Sequence, residues 1–379
     1  MPRADELGIR IGLLPAGPTN SVLDVAGVGV GHATVWRDEA DPPQGRGVAR
    51  TGVTVLRVAD DAFDRPVMAG GAVLNGAGEC TGFITAAEWG AIETPICLTS
   101  TLQLGRVYDA ACELMLEEEE RVAEDFIIPV VAECDDSFLN DARRMQVTRE
   151  DVAAAWTAAD VSTAFRDGPP DEGAVGSGTG MSCLGFKGGI GTASRVTPDG
   201  HTVGVLLMTN FGERDRLTVD GVPVGRLLGG FGAEHPASDP GDPPQVDGGE
   251  QRDPRQAGSC IGIVVTDAAV DGAGCARLAR RVGLGLARTG SVAHHGSGEI
   301  FFACATGLRT DRRGAPQGVA SVTGYALNPL FEAVVEASEE AVLNSMLMAP
   351  TTVGRGGNRR VGLPADEVVR LLREHGRLS

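Results

Sequence analysis

Residues 232–258 read GAEHPASDPGDPPQVDGGEQRDPRQAG, and residues 259–267 follow at once with SCIGIVVTD. The first stretch is dense in Pro, Gly and Asp and carries almost no large apolar side chain. It cannot bury a core, so a mobile linker is expected over 232–257. The second is a strongly apolar strand. The change falls at one peptide bond, Gly258–Ser259. Such a junction has two readings. It is an ordinary loop entering a core strand, or it is a bond that the chain can cut for itself. Glycine offers the least hindrance to a serine Oγ attacking the preceding carbonyl. The α-amino group freed by the cut, with an ordinary pKa of about 7.7–8.0, can then serve as general base for its own hydroxyl. Pattern alone leaves both readings open, and Cys260 beside it reads as a thiol buried in the strand.

The rest of the chain sets the frame for that junction. Its 379 residues suffice for one large domain or two ordinary ones, and a hydrophobic fraction of 42% supports an extensive core. Only 4% is aromatic, so that core must be mainly aliphatic. The 54 glycines are about twice the usual ~7% share and sit beside short β-branched runs, as expected of strands with sharp connections. A net charge of −18 argues against a nucleic-acid partner. No run approaches the roughly 18–20 apolar residues of a membrane span, and the start, MPRADEL, does not resemble a secretory signal. The eight cysteines show no C-x-x-C and the six histidines no H-x-x-x-H, so no metal site is expected. Buried free thiols fit a soluble, cytoplasmic protein.

Strands are expected over 27–32, 52–56, 129–133 and 202–209, the last apolar on both faces, and Ser297–Cys304 reads as loop into strand. Leu217–Val224 reads as a hairpin about Asp220-Gly221. Helices are expected over 106–120, 274–287 and 328–348, and a last one through Arg373 with Pro364 in its first turn. Strand-rich stretches mixed with a few long helices indicate α+β layers, not a doubly wound parallel sheet.

Several segments, in this order and spacing, carry a resemblance that covers nearly the whole chain. They are Asp24-Val-Ala-Gly-Val28, Arg50-Thr-Gly-Val-Thr54, Leu74-Asn-Gly-Ala-Gly-Glu79, Leu139-Asn-Asp141, Gly176-Ser-Gly-Thr-Gly-Met181, Phe186-Lys-Gly-Gly-Ile-Gly191 and Asn210-Phe-Gly212. Gly258-Ser259, Ser297-Gly-Glu299 and Glu339-Glu-Ala341 with Asn344 complete the set. Together they resemble the L-aminopeptidase/D-esterase family of self-processing serine peptidases, which includes the β-peptidyl aminopeptidases.

That resemblance implies a single four-layer αββα sandwich over residues 1–379, similar to N-terminal-nucleophile hydrolases but with different connectivity. It implies processing into segments 1–258 and 259–379 that stay associated, no metal or organic cofactor, and a homo-oligomer, often a tetramer. The implied activity releases an N-terminal residue from short peptides, amino-acid amides or esters. Ser259 matches the nucleophile, Asn210 the side-chain donor to the oxyanion, and Ser297 with Glu299 the pair beside the nucleophile. Glu133 falls where the family holds the substrate ammonium; from the sequence alone it is equally a surface Glu at a strand edge. The family often has Tyr two residues further on, and here Asp135 stands there, a second negative charge expected to affect what the site accepts. A self-processing acyltransferase of the ornithine acetyltransferase type is the alternative, against which the serine counts, since that family uses threonine.

Two other motifs are set aside. Gly180–Lys187 fails the phosphate-loop pattern because Phe186 separates Gly185 from Lys187. His294-His295 beside Ser297 suggests a Ser/His pair or a metal site, but neighbouring residues on a strand point to opposite sides.

Overall fold

The computed structural model describes residues 1–161, 168–229, 258–315 and 320–378. The 232–257 linker therefore lies outside the described residues. Strands β1 (Gly29–Asp38), β2 (Val48–Arg57) and β3 (Val67–Gly76) lead to helix α1 (Phe83–Trp89). Strands β4 (Ala91–Ile92) and β5 (Ile96–Ser100) precede α2 (Leu104–Glu118), followed by β6 (Val130–Cys134) and α3 (Arg149–Ala158). The short β7 (Ser182–Cys183) and β8 (Phe186–Lys187) come before β9 (Ile190–Val196), β10 (Thr202–Asn210) and α4 (Val224–Leu227). Then follow β11 (Ser259–Thr266), α5 (Gly272–Thr289), β12 (Gly298–Arg309), α6 (Asn328–Leu347), β13 (Thr352–Val353), β14 (Arg359–Arg360) and α7 (Ala365–Glu374).

Two sheets form the middle of the molecule, one ordered β1-β2-β5-β6 and the other β4-β3-β12-β11-β10-β9. Side-chain alternation along the strands divides the core into three slabs. On β6, Val130, Ala132 and Cys134 pack between the sheets, while Val131 faces Val107, Ala111 and Leu114 of α2 and Trp156 of α3. On β11, Ile261, Ile263 and Val265 pack between the sheets, while Cys260 and Val264 face Leu278 and Val282 of α5 and Ala337 and Ala341 of α6. Helices, sheet, sheet, helices: the expected αββα sandwich is what the chain forms. A strand covered on both faces must be apolar throughout, and all eight residues of β11 are buried.

The hairpin expected at 217–224 is corrected. Asp220 and Gly221 do turn with positive φ, +46° and +76°. Only one bridge, Val219 to Val222, closes over them. Pro223 lacks an N–H to extend a ladder, and α4 begins directly after it.

Polar contacts tie the N-terminal segment to α6. Leu13 N–H donates to Glu336 Oε1 (2.8 Å), Asn20 Nδ2 to Glu340 Oε1 (2.6 Å) and Ala4 N–H to Asn344 Oδ1 (2.9 Å). Arg195 of β9, buried, pairs with Glu340 at 2.6 Å and Glu336 at 3.3 Å and donates to the Ile11 carbonyl. Removing one partner of a buried ion pair leaves the others uncompensated. Arg195→Met is therefore expected to destabilise the fold by about 3–5 kcal/mol, read as a lowered urea midpoint; an unchanged midpoint would show that the network carries little.

Candidate active site

β11 runs between β10 and β12, antiparallel to the first and parallel to the second. That pairing sets Ser259, its first residue, opposite Asn210 on one side and Gly298 on the other. Alternation puts the Ser259 and Asn210 side chains on the face that Ile261 and Met208 turn toward the second sheet. Ser259 Oγ donates to the Gly258 carbonyl oxygen at 2.7 Å. The same oxygen accepts the Gly298 N–H at 3.0 Å. A Cβ on residue 258 would sit 3.1 Å from Phe211 Cα and 3.2 Å from Ser297 Oγ, so glycine leaves this bond uncrowded.

The Asn210 amide is fixed at both ends by backbone. Its Oδ1 accepts the Ser182 N–H and its Nδ2 donates to the Asp135 carbonyl, each at 2.8 Å. An amide nitrogen carries two protons, and Asp135 takes one. The loop bearing Ser182 is itself braced by Lys187, whose buried ammonium donates to the carbonyls of Gly178 (3.1 Å), Met181 (2.9 Å) and Gly188 (2.6 Å). Burial lowers the Lys187 pKa to about 7. The lysine that failed the phosphate-loop pattern is thus a brace inside a loop.

Ser297 Oγ donates to Glu299 Oε1 in a short hydrogen bond, and both residues are buried. Burial raises the Glu299 pKa above the ordinary carboxylate range, with the Ser297 hydroxyl pulling the other way. Glu133 is buried at the end of β6, not on the surface. Its Oε1 accepts the Glu79 N–H at 2.9 Å and its Oε2 the Thr101 hydroxyl. Burial also raises its pKa, aided by the charges of Asp135 and Glu79 and opposed by those two hydrogen bonds. Gly78 lies between this carboxylate and the start of β12. A Cβ there would be 3.1 Å from Glu133 Oε1 and 3.6 Å from Gly298 Cα.

Asp135 adds to its charge two further contacts. Its carboxylate accepts from the Ser137 N–H (3.0 Å) and hydroxyl (2.9 Å), closing a local turn, and it is the Asp135 carbonyl that touches Asn210. The carbonyls of His294 and His295 accept from Asn75. The fold gathers the residues nominated from the sequence, Ser259, Asn210, Ser297, Glu299 and Glu133, around the start of β11. Sequence reasoning did not find the Ser182 and Gly298 N–H groups, which leave no side-chain signal, or Thr101. Among the described residues no group of acidic, His and Cys side chains has metal-site geometry, and no helix is long and apolar enough to cross a membrane.

A family model described as Peptidase family S58 matches residues 20–360. The chain is 36% identical over 379 residues to beta-peptidyl aminopeptidase BapA of Sphingosinicella xenopeptidilytica, spanning 98% of this chain and 91% of the relative. Among solved structures it is similar to a beta-aminopeptidase from Burkholderia sp., with 37% identity, TM-score 0.84 and 99% of both chains covered. It is also similar to the L-aminopeptidase D-Ala-esterase/amidase from Ochrobactrum anthropi, with 32% identity, TM-score 0.86 and all of both chains covered. That protein is described as a prototype for the serine aminopeptidases and a new variant among the Ntn hydrolase fold. An amide locked at both ends suits an oxyanion donor. Asn210→Ala is expected to lower kcat by about 10²–10³-fold with little change in KM, measured on amino-acid p-nitroanilides.

Proposed function

We propose that this chain, which belongs to peptidase family S58 and is a serine aminopeptidase, cuts itself between Gly258 and Ser259. The observation that carries the proposal is the bond itself: Ser259 Oγ lies 2.7 Å from the Gly258 carbonyl oxygen, and the Gly298 N–H holds that oxygen. Oγ attacks the Gly258 carbonyl carbon while its proton passes toward the Ser297–Glu299 pair. The pair passes that proton to the Ser259 nitrogen as the C–N bond breaks, so an ester joins Gly258 to Ser259 Oγ and the Ser259 α-amine is released. Water then hydrolyses the ester, leaving a Gly258 carboxylate and a free hydroxyl beside a free amine. Segments 1–258 and 259–379 stay together, because β11 pairs with β10 and β12 with β3 across the cut.

In turnover the new α-amine takes the Oγ proton, and Oγ attacks the substrate carbonyl. The remaining Asn210 amide proton stabilises the oxyanion. The α-ammonium returns the Oγ proton to the leaving amine or alcohol, and water hydrolyses the acyl-enzyme. Glu133, already accepting two hydrogen bonds, offers its charge to the substrate ammonium, which selects substrates with a free N-terminus. These are short peptides, amino-acid amides or esters. Asp135 acts through its carbonyl on Asn210, and its charge colours the same approach. The eight unpaired cysteines support a reducing, cytoplasmic setting, and assembly as a homo-oligomer, a tetramer in the first instance, completes the reading.

Denaturing mass spectrometry is expected to give two fragments divided at Gly258–Ser259, and Ser259→Ala to abolish both cleavage and turnover; an intact chain that remains active would sink the mechanism. N-acetylated substrates should be refused and Glu133→Gln should raise KM for free amines. Because burial lifts the Glu133 pKa, its protonation steepens the fall of kcat/KM on acidification below the limb set by the α-amine base, and the Gln variant keeps that limb but lacks the added steepness.

A further inference from the structure

The segment Leu74–Glu79 is used by the proposed reaction only through one N–H, yet its other end lies against the catalytic turn. In the β3–β12 ladder Gly298 faces Gly76 and Glu299 faces Asn75, but Ile300 faces Val73. Leu74 is therefore an extra residue, and β3 bulges directly opposite Glu299. A bulge re-aims the side chains beside it. Here two successive residues, Val73 and Leu74, are both more than half exposed. Asn75 is turned toward the loop that ends in Ser297. Its Nδ2, with two protons to share, lies within hydrogen-bond distance of three carbonyls, those of His294 (2.8 Å), His295 (3.2 Å) and Ser297. The Ala77 N–H adds a second donor to the Ser297 carbonyl at 3.2 Å. The turn itself contains Ala293 at φ +48° and is closed by the Ser297 N–H on the His294 carbonyl at 2.8 Å.

We propose that Asn75 is a positioning residue, whose amide gathers the carbonyls of the 294–297 turn so that the Ser297 hydroxyl meets Glu299 beside Ser259. Asn75 reaches the pair through the Ser297 carbonyl, and not through the Ser297 hydroxyl or the Glu299 carboxylate. It acts through the backbone on which Ser297 is mounted. It also reaches across the proposed cut, since residue 75 belongs to the first segment and the turn to the second. Four residues further on, the Glu79 N–H holds Glu133. One loop thus sets the proton-handling pair with its first residues and the ammonium site with its last. His294 and His295 are exposed, so water can replace the amide there. The loss of Asn75 therefore costs little in stability and much in geometry.

The inference rests on the reaction proposed above, and Asn75→Asp and Asn75→Leu test it against wild type. At neutral pH the Asp carboxylate faces three carbonyl oxygens and cannot donate. Both variants are expected to self-cleave and turn over about 10–100-fold more slowly, with KM within about threefold and Tm within a few degrees of wild type. On acidification the Asp variant regains an O–H donor, so its deficit relative to wild type shrinks. The Leu deficit stays constant with pH. Wild-type rates in either variant, a pH-independent Asp deficit, or a loss of kcat matched by a collapse of Tm would overturn the positioning role. A wild type that neither cuts itself nor turns over would overturn the reaction instead.

Discussion

Everything at this site depends on where β11 sits in its sheet. A strand in the middle of a six-stranded sheet has neighbours on both edges, and its first residue is fixed by two ladders at once. The antiparallel ladder with β10 brings Asn210 to Ser259, and the parallel ladder with β12 brings Gly298, with Ser297 and Glu299 on either side of it. Four side chains from distant parts of the sequence are then aligned by backbone hydrogen bonding. Slipping either register by one residue would turn the side chains to the opposite face and dismantle the arrangement.

Around that centre the electrostatics are set by burial. Glu133 and Glu299 both sit in the interior with raised pKa values, and each is held by at least one short or well-aligned donor. Their positions differ in kind. Glu299 is hydrogen-bonded to a hydroxyl next to the nucleophile, while Glu133 is cradled by a backbone N–H and the Thr101 hydroxyl across Gly78. On the proposed reaction these two carboxyl groups have separate tasks, one handling a proton and the other offering charge to a cationic substrate.

Much of the fold was legible in the sequence because both-face burial demands continuous apolar strands, and residues 202–209 and 259–267 have them. Strand-rich stretches mixed with long helices indicated α+β layers, and the αββα order came from the family resemblance alone. Ser259, Asn210, Ser297, Glu299 and Glu133 were nominated by the family resemblance, through motif order rather than through any property of a single residue, and the fold brings them together. What stayed hidden was backbone. The Ser182 and Gly298 N–H groups and the Asp135 carbonyl do their work with atoms that every residue has. The Asp135 side chain suggested a charge in the site, yet its carboxylate is satisfied by Ser137. The bulge at Leu74 was equally invisible, since one unpaired residue leaves the hydrophobic pattern nearly unchanged. At 217–224 the turn residues were read correctly, but Pro223 ends the ladder before it forms.

The placement of Ser259 at the head of a central strand has a consequence for the life of the chain. On the proposed reaction, the bond can break only when β10, β11 and β12 are all aligned, so the cut is a covalent record of completed folding. A nascent or misfolded copy stays in one piece and lacks the free Ser259 amine that would take the Oγ proton, so its hydroxyl cannot attack peptides around it. Because that record is permanent, the ratio of cut to intact chain in any preparation counts how many molecules have ever reached the native arrangement, even after some of them have lost it.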